Sequence, residues 1–264
     1  MPTKKIAIVT DAWHPQINGV VTTLTQTVSH LKKLGFKVKT ITPRHFKTVP
    51  CPTYPEISLS LARPKKIKKK FKKLAPDAIH IATEGPLGWA ARRACLSMKI
   101  PFTTSYHTKF PEYVRMRFPV PLALSYSVVR RFHNSAERVF VATKQLKKEL
   151  DNRGFHKVCL WSRGVDTTLF RPRNERLLEN KTPVFTYVGR VSPEKNLEAF
   201  LKLELPGKKC IIGDGPSLQE FRQKYPDTIF TGYKKGEELA RLVASSNVFV
   251  FPSHTDTFGV VQLE

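Results

Sequence analysis

Two basic residues in the segment YVGRVSPEKN, 187–196, could bind a diphosphate. Arg190 follows an apolar run typical of a strand, and Lys195 lies five positions later, near the start of the next predicted helix. Cations fixed in such positions stabilise the negative charge that develops on a departing nucleoside diphosphate. Taken alone, the segment favours the alternative of two surface cations in a basic protein.

Two carboxylates in the segment SHTDTFGVVQLE, 253–264, could bind hydroxyl groups. Asp256 and Glu264 are eight positions apart, and Phe258 and Gly259 lie between them at the start of a predicted helix. Such a helix would separate the carboxylates by about 12 Å, whereas a glycosidase acid/base pair needs roughly 5 to 9.5 Å. The spacing therefore favours two separate tasks along an extended ligand, one on sugar hydroxyls and one on ribose. Asp256 could also cap the helix.

Glycine-rich segments follow several predicted strands: INGV at 17–20, YVGR at 187–190 and IIGDGPSLQEF at 211–221. In an open parallel sheet, ligands bind beyond the carboxyl ends of the strands, where helix N-termini point N–H groups at anions. A tight turn explains each segment equally well, and none fits the GxGxxG dinucleotide fingerprint. His107 also follows a predicted strand, where a histidine is commonly a structural hydrogen-bond partner.

The elements that must position these residues alternate along nearly the whole chain. Apolar runs predict strands at 6–10, 38–42, 78–82, 102–106, 139–142, 158–161, 184–188, 210–212, 228–231 and 248–251. Many runs are continuously apolar, as expected of strands buried on both faces of a parallel sheet. Helical spacing between them, for example at 20–34, 87–98 and 237–245, predicts an α/β protein with doubly wound, Rossmann-like sheets.

A polar, proline-containing segment at 163–183 divides the chain. It predicts an N-terminal Rossmann-like domain at 1–164, a linker at 165–182 and a partial C-terminal domain at 183–264. The second domain has four predicted strands and begins one more helix near its end. Four strands without closing helices would leave apolar faces and an edge exposed, so we expect this domain to be incomplete.

Composition excludes several classes of protein. Apolar residues make up 41% of the chain and aromatic residues 10%, as in a globular protein. No apolar run approaches the roughly 18 residues of a membrane-spanning helix, and the N-terminus lacks the apolar core of a signal peptide. The widely spaced cysteines fit neither a zinc site nor a disulfide framework. We expect a cytoplasmic protein without a metal site.

The charge is concentrated in the first part of the chain. The net charge is +24; residues 1–182 contain 35 Lys and Arg against 11 Asp and Glu, whereas residues 183–264 contain 10 of each. A general bias in composition would have affected both parts. The asymmetry therefore indicates that the first part faces an anionic partner.

Part of this charge lies in the segment RPKKIKKKFKKL, 63–74, which contains eight cations. Ile67, Phe71 and Leu74 form one apolar stripe at helical spacing, which predicts a helix packed on its own domain. Its cationic face could bind anionic lipid headgroups, at roughly 1 kcal/mol per basic residue. Nucleic acid would be attracted by the same field. No recognition motif is present and aromatic residues are not interleaved with the cations, so we expect no nucleic-acid partner.

Taken together, these segments resemble the retaining glycosyltransferases of family four, which have the GT-B fold. The resemblance covers nearly the whole chain and is carried by several motifs in register. They are KIAIVTDAWHPQINGVVTTL, ATEGPLGWAARRA at 82–94, TTSYHTKFPEY at 103–113, RGVDTTLFRPR, YVGRVSPEKN and VFVFPSHTDTFGVVQLE. The resemblance implies two Rossmann-like domains, with the nucleotide-sugar donor bound by the second.

The resemblance also implies roles for single residues. Gly19 would let the first-domain loop approach the donor phosphate, and His107 would contact the donor sugar near the reacting carbon. Arg190 and Lys195 would hold the diphosphate, and Gly189 would belong to the same donor site.

In the last motif, the resemblance implies that Asp256 binds sugar hydroxyls and phosphate together with the backbone of Phe258 and Gly259. Glu264 would bind ribose. The family more often has Glu at the first acidic position, which leaves the preferred sugar open. The DTFG sequence indicates a subgroup of the family.

The activity implied is transfer of a hexose, for example mannose or glucose, from a GDP- or UDP-linked donor to a lipid or glycan acceptor. Transfer would proceed with retention, by front-face displacement, and without a metal or other cofactor. Many members glycosylate membrane lipids, so we expect peripheral attachment to the inner face of the membrane through the basic N-terminal domain. The alternative is a truncated, catalytically impaired chain that only binds anionic membranes.

Overall fold

The computed structural model describes residues 3–16, 18–51, 54–174, 182–253 and 256–264. The chain forms two compact units, Met1–Ser162 and Arg163–Glu264. Each unit contains a parallel sheet with helices packed on it. The α/β class predicted from the sequence is therefore confirmed.

Eight strands are described in the first unit. They are β1 (Lys5–Val9), β2 (Lys37–Ile41), β3 (Thr48–Cys51), β4 (Tyr54–Ser60), β5 (Ala78–Ile81), β6 (Thr103–Ser105), β7 (Arg138–Val141) and β8 (Val158–Leu160). Six form a parallel sheet in the order β2-β1-β5-β6-β7-β8. The antiparallel hairpin of β3 and β4 was not predicted. Prolines in both strands hide it, because proline is tolerated in a strand only at an edge or bulge.

The helices of this unit are α1 (Gly19–Lys33), α2 (Pro64–Leu74), α3 (Pro86–Met98), α4 (Phe110–Arg117), α5 (Leu122–His133) and α6 (Lys144–Asn152). Helices α2, α3 and α5 pack side by side on the sheet face of Val9 and Ile81. Helix α1 packs on the opposite face, against Ile8. The predicted apolar stripe of α2 is confirmed, because Ile67 and Phe71 are fully buried.

Asp11, directly after β1, holds the start of α3. Its carboxylate accepts hydrogen bonds from the backbone N–H groups of Leu87 at 2.8 Å and Gly88 at 3.1 Å, and from the hydroxyl of Thr83 at 2.9 Å. Gly85, at the N-cap position, has no side chain to do this. Burial raises the pKa of Asp11, although these hydrogen bonds oppose the shift.

A polar network joins the start of α4 to α5 and to the second half of α6. The Tyr126 hydroxyl donates to Glu112 at 2.6 Å and lies 3.2 Å from Glu149. Lys109 donates to Glu149 at 2.8 Å, and the Arg153 guanidinium lies 3.8 Å from the centre of the Tyr126 ring. Burial acts to raise the pKa of Glu149, but the hydrogen bond from Lys109 and neighbouring charges outweigh it, so the pKa lies below 4.5.

The second unit contains the strands β9 (Val184–Val188), β10 (Lys208–Ile212), β11 (Ile229–Gly232) and β12 (Val248–Phe249), all parallel, in the order β11-β10-β9-β12. Its helices are α7 (Leu197–Leu201), α8 (Leu218–Lys224) and α9 (Gly236–Ala244). Arg173 lies in the segment before β9 and forms an ion pair with Glu237 of α9, with a closest N–O distance of 2.5 Å. The exposed side chains of β12, Val248 and Phe249, lie at the edge of this sheet.

The helix predicted from Phe258 onward is not formed. A single 3-10 turn at Val260–Gln262 takes its place. Gly259 precedes the turn with a φ of +73°, in the left-handed region, which is incompatible with an α-helical first turn. The suggested cap by Asp256 and the 12 Å spacing along a helix axis therefore do not apply.

We expect Asp11→Ala to destabilise the first unit. The substitution leaves the N–H groups of Leu87 and Gly88 buried without their acceptor, at a cost of about 3 kcal/mol in the free energy of unfolding. Urea unfolding measures this. The control is Asp151→Asn, which removes an exposed ion pair with Lys147 and should cost under about 1 kcal/mol. Equal effects of the two substitutions would contradict the capping role.

We expect the stabilising effect of Lys109 to depend on pH. Because the folded-state pKa of Glu149 is lowered, its contribution is present above the unfolded-state value near 4.5 and is lost as the pH falls through the folded-state value. Lys109→Met should therefore destabilise the protein at neutral pH and have little effect in acid. Urea unfolding across a pH series tests this, with Lys147→Met as the exposed control. A loss that is independent of pH would exclude the pairing.

Candidate functional site

The second sheet changes direction beside β9. From β9 the chain moves to β10 and β11 on one side and then returns to β12 on the other. In an open parallel sheet, the loops at such a switch point diverge and leave a crevice beyond the carboxyl ends of the strands. The loop after β9 begins at Gly189 and Arg190, and the loop after β12 leads to Asp256. Two of the predicted motifs therefore meet at this crevice.

An ion pair joins these two loops. The Lys195 ammonium lies 2.7 Å and 2.8 Å from the two carboxylate oxygens of Asp256. The side chains are 16% and 23% exposed, so solvent reaches both groups. A second link lies beside the pair, because the Asn196 side-chain amide donates to the carbonyl of Pro252 at 3.3 Å. The structure thus brings together one cation and one acid that are distant in sequence.

Arg190 is held at the end of β9 by its backbone. The hydroxyl of the buried Tyr187 donates to the Arg190 carbonyl at 3.0 Å, and the Nε atom of Arg190 is buried. The loop after β10 packs directly on this segment. A Cβ on Gly213 would lie 1.8 Å from the Gly189 carbonyl oxygen, so only glycine fits. The glycines of the IIGDG segment therefore allow two loop backbones to approach each other.

Two serines in the same loops were missed by the sequence analysis. The hydroxyl oxygens of Ser192 and Ser253 are buried and have no hydrogen-bond partner within the described residues. Buried hydroxyls of this kind normally bind a ligand or an ordered water. Each serine is adjacent to a proline in a loop that follows a predicted strand. This position is the feature of the sequence that could have identified them as candidate site residues.

Glu264 is not part of the ion pair. It follows the 3-10 turn, is partly buried, and burial raises its pKa. The Lys195 ammonium contacts both carboxylate oxygens of Asp256 and not those of Glu264. Of the four charged side chains predicted for the donor site, Lys195 and Asp256 are therefore seen in direct contact.

The turn between the two predicted acids is fixed locally. The Gln262 side-chain amide donates to the Phe258 carbonyl at 2.8 Å. A Cβ on Gly259 would lie 2.5 Å from the ring of Phe251, so the loop passes close to the end of β12. Residues 254 and 255 of this motif lie outside the described residues.

The first unit contains the other two predicted site residues. Gly19 is the exposed first residue of α1, and Ile17 of the same segment is not among the described residues. The Asn18 side chain caps α1 by accepting hydrogen bonds from the N–H groups of Val20 and Val21. His107 follows β6, is buried, and contacts the ring of Trp161 edge-on.

A buried histidine, the last residue of α5, was also missed by the sequence analysis. His133 is fully buried, and its two ring nitrogens lie 2.9 Å from the Thr104 hydroxyl and 2.9 Å from Glu84. Glu84 follows β5, at the point where the first sheet changes direction. The signal in the sequence was the position of Glu84, which lies after an apolar strand and before the helix start at Gly85 and Pro86.

Two absences hold for the residues that the structure describes. No group of three or more His, Cys, Asp and Glu side chains there could hold a metal ion. No described helix combines the length and the apolar character needed to cross a membrane.

Comparison with known families covers both units. Residues 17–169 match the Glycosyltransferase Family 4 model, and residues 171–264 match the Glycosyl transferases group 1 model. Structural similarity agrees with these matches. Sucrose-phosphate synthase from Thermosynechococcus elongatus superposes with a TM-score of 0.75 at 20% identity, over 98% of this chain and 77% of that protein. Anabaena HepE, solved with UDP and glucose, has a TM-score of 0.66 at 14% identity, over 98% and 77%.

Sequence relatives are similar along most of the chain. A sulfoquinovosyl transferase from Arabidopsis thaliana is 31% identical, over 90% of this chain and 52% of the relative. A GDP-mannose-dependent alpha-mannosyltransferase from Corynebacterium glutamicum is 30% identical, over 96% and 68%. An alpha-monoglucosyldiacylglycerol synthase from Streptococcus pneumoniae is 26% identical, over 98% and 68%. The chain therefore spans about half to two thirds of the length of these relatives. It belongs to glycosyltransferase family 4, and its α/β fold is the GT-B fold.

Proposed function

We propose that the second unit binds a nucleotide-sugar donor for transfer of a hexose with retention. The ion pair between Lys195 and Asp256 at the switch point carries this proposal. Without ligand, the carboxylate neutralises the ammonium. A bound diphosphate would offer Lys195 a more strongly charged acceptor, and Asp256 would then be available to accept hydrogen bonds from sugar hydroxyls.

The remaining groups of the crevice suit the same ligand. Arg190, fixed at the end of β9, supplies a second cation for the diphosphate. The buried hydroxyls of Ser192 and Ser253 supply donors that have no partner among the described residues. Cations and donors held in place before the reaction stabilise charge that develops in the transition state. Gly189, Phe258 and Gly259 contribute backbone, and Glu264 is proposed to bind ribose.

The proposed reaction is front-face displacement. The bond between the anomeric carbon and the phosphate oxygen breaks, and the acceptor oxygen bonds to the same face of that carbon. The acceptor proton passes to the departing phosphate, whose negative charge is held by Arg190 and Lys195. No metal is required for this step. His107 and Gly19 of the first unit are proposed to contact the donor sugar and phosphate.

The names of the relatives support a proposal on the substrate classes. Their names specify GDP-mannose and a glucosyl lipid product, and HepE was solved with UDP. We therefore propose a GDP- or UDP-linked donor carrying mannose or glucose, and a lipid or glycan acceptor. The DTFG sequence, with Asp256 in place of the more usual Glu, is proposed to mark a subgroup with its own sugar preference.

A second proposal concerns the location of the protein. Because α2 buries Ile67 and Phe71, its lysines face solvent. A charged helix face of this kind is attracted to the anionic cytoplasmic leaflet. We propose peripheral attachment of the first unit to that surface, which would keep the protein at the membrane that holds a lipid acceptor.

We expect Lys195→Met to weaken binding of GDP or UDP by about tenfold or more, because a charge-assisted hydrogen bond is worth about 1.5–3 kcal/mol. Asp256→Asn releases the Lys195 ammonium from its ion pair, so the affinity for GDP or UDP should be unchanged or higher. The affinity for GDP-mannose or UDP-glucose should fall relative to the affinity for the free nucleotide, because the sugar loses its carboxylate partner. Isothermal titration calorimetry of the 264-residue chain measures both. Lys202→Met, at an exposed ion pair with Glu198, is the control. Unchanged affinity of the Lys195→Met protein would exclude this donor site.

We expect Lys69→Glu combined with Lys73→Glu to weaken binding to anionic vesicles about tenfold or more, given roughly 1 kcal/mol per basic residue near the surface. Flotation with vesicles of phosphatidylcholine and phosphatidylglycerol measures this. Lys202→Glu combined with Lys235→Glu changes the net charge equally in the second unit and should have a smaller effect. If the affinity for vesicles falls by the same factor in both double variants, attachment depends on the net charge of the protein and not on α2.

A further inference from the structure

Helix α2 supplies charge for membrane attachment but no apolar anchor. Its apolar stripe is already used, because Ile67 and Phe71 are packed in the core with exposures of 0% and 1%. Attraction between exposed charges is screened by salt within about a Debye length, roughly 8–10 Å at physiological ionic strength. A lasting contact with a bilayer therefore needs apolar side chains from another element.

Such side chains are found at the turn between α4 and α5. We call residues 116–124 the apolar tip. Three of its large apolar side chains are exposed: Met116 (54%), Phe118 (53%) and Leu124 (57%). Val128, one turn further along α5, is 49% exposed and extends the same surface. Large apolar side chains clustered on one surface indicate an interaction site.

The tip is held in a fixed form. Pro119 and Pro121 restrict the backbone of the turn, and the Val120 N–H donates to the Phe118 carbonyl at 2.7 Å. At the base of the same hairpin, Tyr126 of α5 donates to Glu112 of α4. The polar contact between Tyr126 and Glu112 thus lies at the base of the hairpin, whereas Met116, Phe118 and Leu124 are exposed at its end.

The charge around the tip suits an anionic surface. Between Glu112 and Glu137 the sequence contains no acidic residue. The same stretch contains four arginines, at positions 115, 117, 130 and 131. Arg115, Arg130 and Arg131 are exposed. Arginines beside exposed apolar side chains would contact lipid phosphates while the apolar groups enter the acyl region.

The tip and the lysines of α2 lie on one helical layer. Helices α2, α3 and α5 share the core on one face of the first sheet. Arg92 of α3 donates to the carbonyls of Phe132 at 3.2 Å and Arg131 at 2.9 Å, which fixes α3 beside the end of α5. Helix α3 also packs against α2. The solvent sides of α2, α3 and the end of α5 therefore belong to one helical layer of the first unit, and the apolar tip lies at the start of α5.

We infer that the apolar tip inserts into an anionic lipid bilayer while the lysines of α2 bind its headgroups. This inference rests on the membrane attachment proposed above and adds the apolar part of the contact. Charge attracts the first unit to the surface, and Phe118, Met116 and Leu124 then hold it there. The contact consequently has a component that salt does not remove.

The test is flotation of the 264-residue chain with vesicles of phosphatidylcholine and phosphatidylglycerol, in low and in high salt. Phe118→Ser combined with Leu124→Ser should lower binding about tenfold or more in high salt. Leu34→Ser combined with Leu203→Ser removes two leucines that are equally exposed elsewhere, at 73% and 51%, and should bind as the unchanged chain does.

A second measurement reports insertion directly. Tryptophan at position 118 (Phe118→Trp) should be quenched by bromine-labelled lipid after the native tryptophan signal is subtracted, and tryptophan at position 34 (Leu34→Trp) should not. Equal quenching at the two positions, or full binding of the Phe118→Ser/Leu124→Ser protein in high salt, would overturn insertion.

Other outcomes separate this inference from the proposals on which it rests. If only the Lys69→Glu/Lys73→Glu protein loses binding, insertion is overturned and electrostatic attachment stands. If the unchanged chain binds no vesicles, both are overturned, whereas nucleotide binding at Lys195 is tested independently. If light scattering shows a dimer that the Phe118→Ser/Leu124→Ser protein cannot form, and vesicle binding is unchanged, the tip is an interface between copies and the inference fails.

Discussion

The parallel arrangement of strands imposes the constraint on which both units depend. Every strand of a parallel sheet ends at the same edge, so the polar groups that follow the strands collect there, and the change of direction in strand order opens a crevice between two of the loops. In the second unit the ion pair of Lys195 and Asp256 spans this crevice. In the first unit Asp11 and Glu84 lie at the corresponding place. The same topological feature thus places a solvent-accessible ion pair in the second unit and two structural acids in the first.

In the first unit, acidic side chains fix the loops, which lack regular secondary structure, to neighbouring elements. Asp11 anchors the start of α3, Glu84 pairs with the buried His133, and Glu149 joins α6 to Lys109 near His107. Each carboxylate has at least one hydrogen-bond partner, which is the condition under which burial of a charge is tolerated. Few acids remain for the outer surface, so the cations of α2 and α5 dominate its field.

Much of this could be predicted from the sequence, since all ten predicted strands were found and the family was inferred from the motifs. The misses have physical causes. Prolines concealed the β3–β4 hairpin, and the left-handed backbone at Gly259 prevented the helix expected from Phe258. In each case the backbone of a few residues, which periodicity does not encode, decided the outcome.

The sequence by itself determined the class of fold, the asymmetry of charge and the residue types available for diphosphate binding, because these depend on local composition and spacing. Tertiary structure decided which of them meet. Lys195 and Asp256 are 61 positions apart and pair only because β9 and β12 are neighbours in the sheet. The exposure of Phe118 was likewise decided by packing, whereas the burial of Phe71 was already predicted by the helical spacing of its apolar stripe.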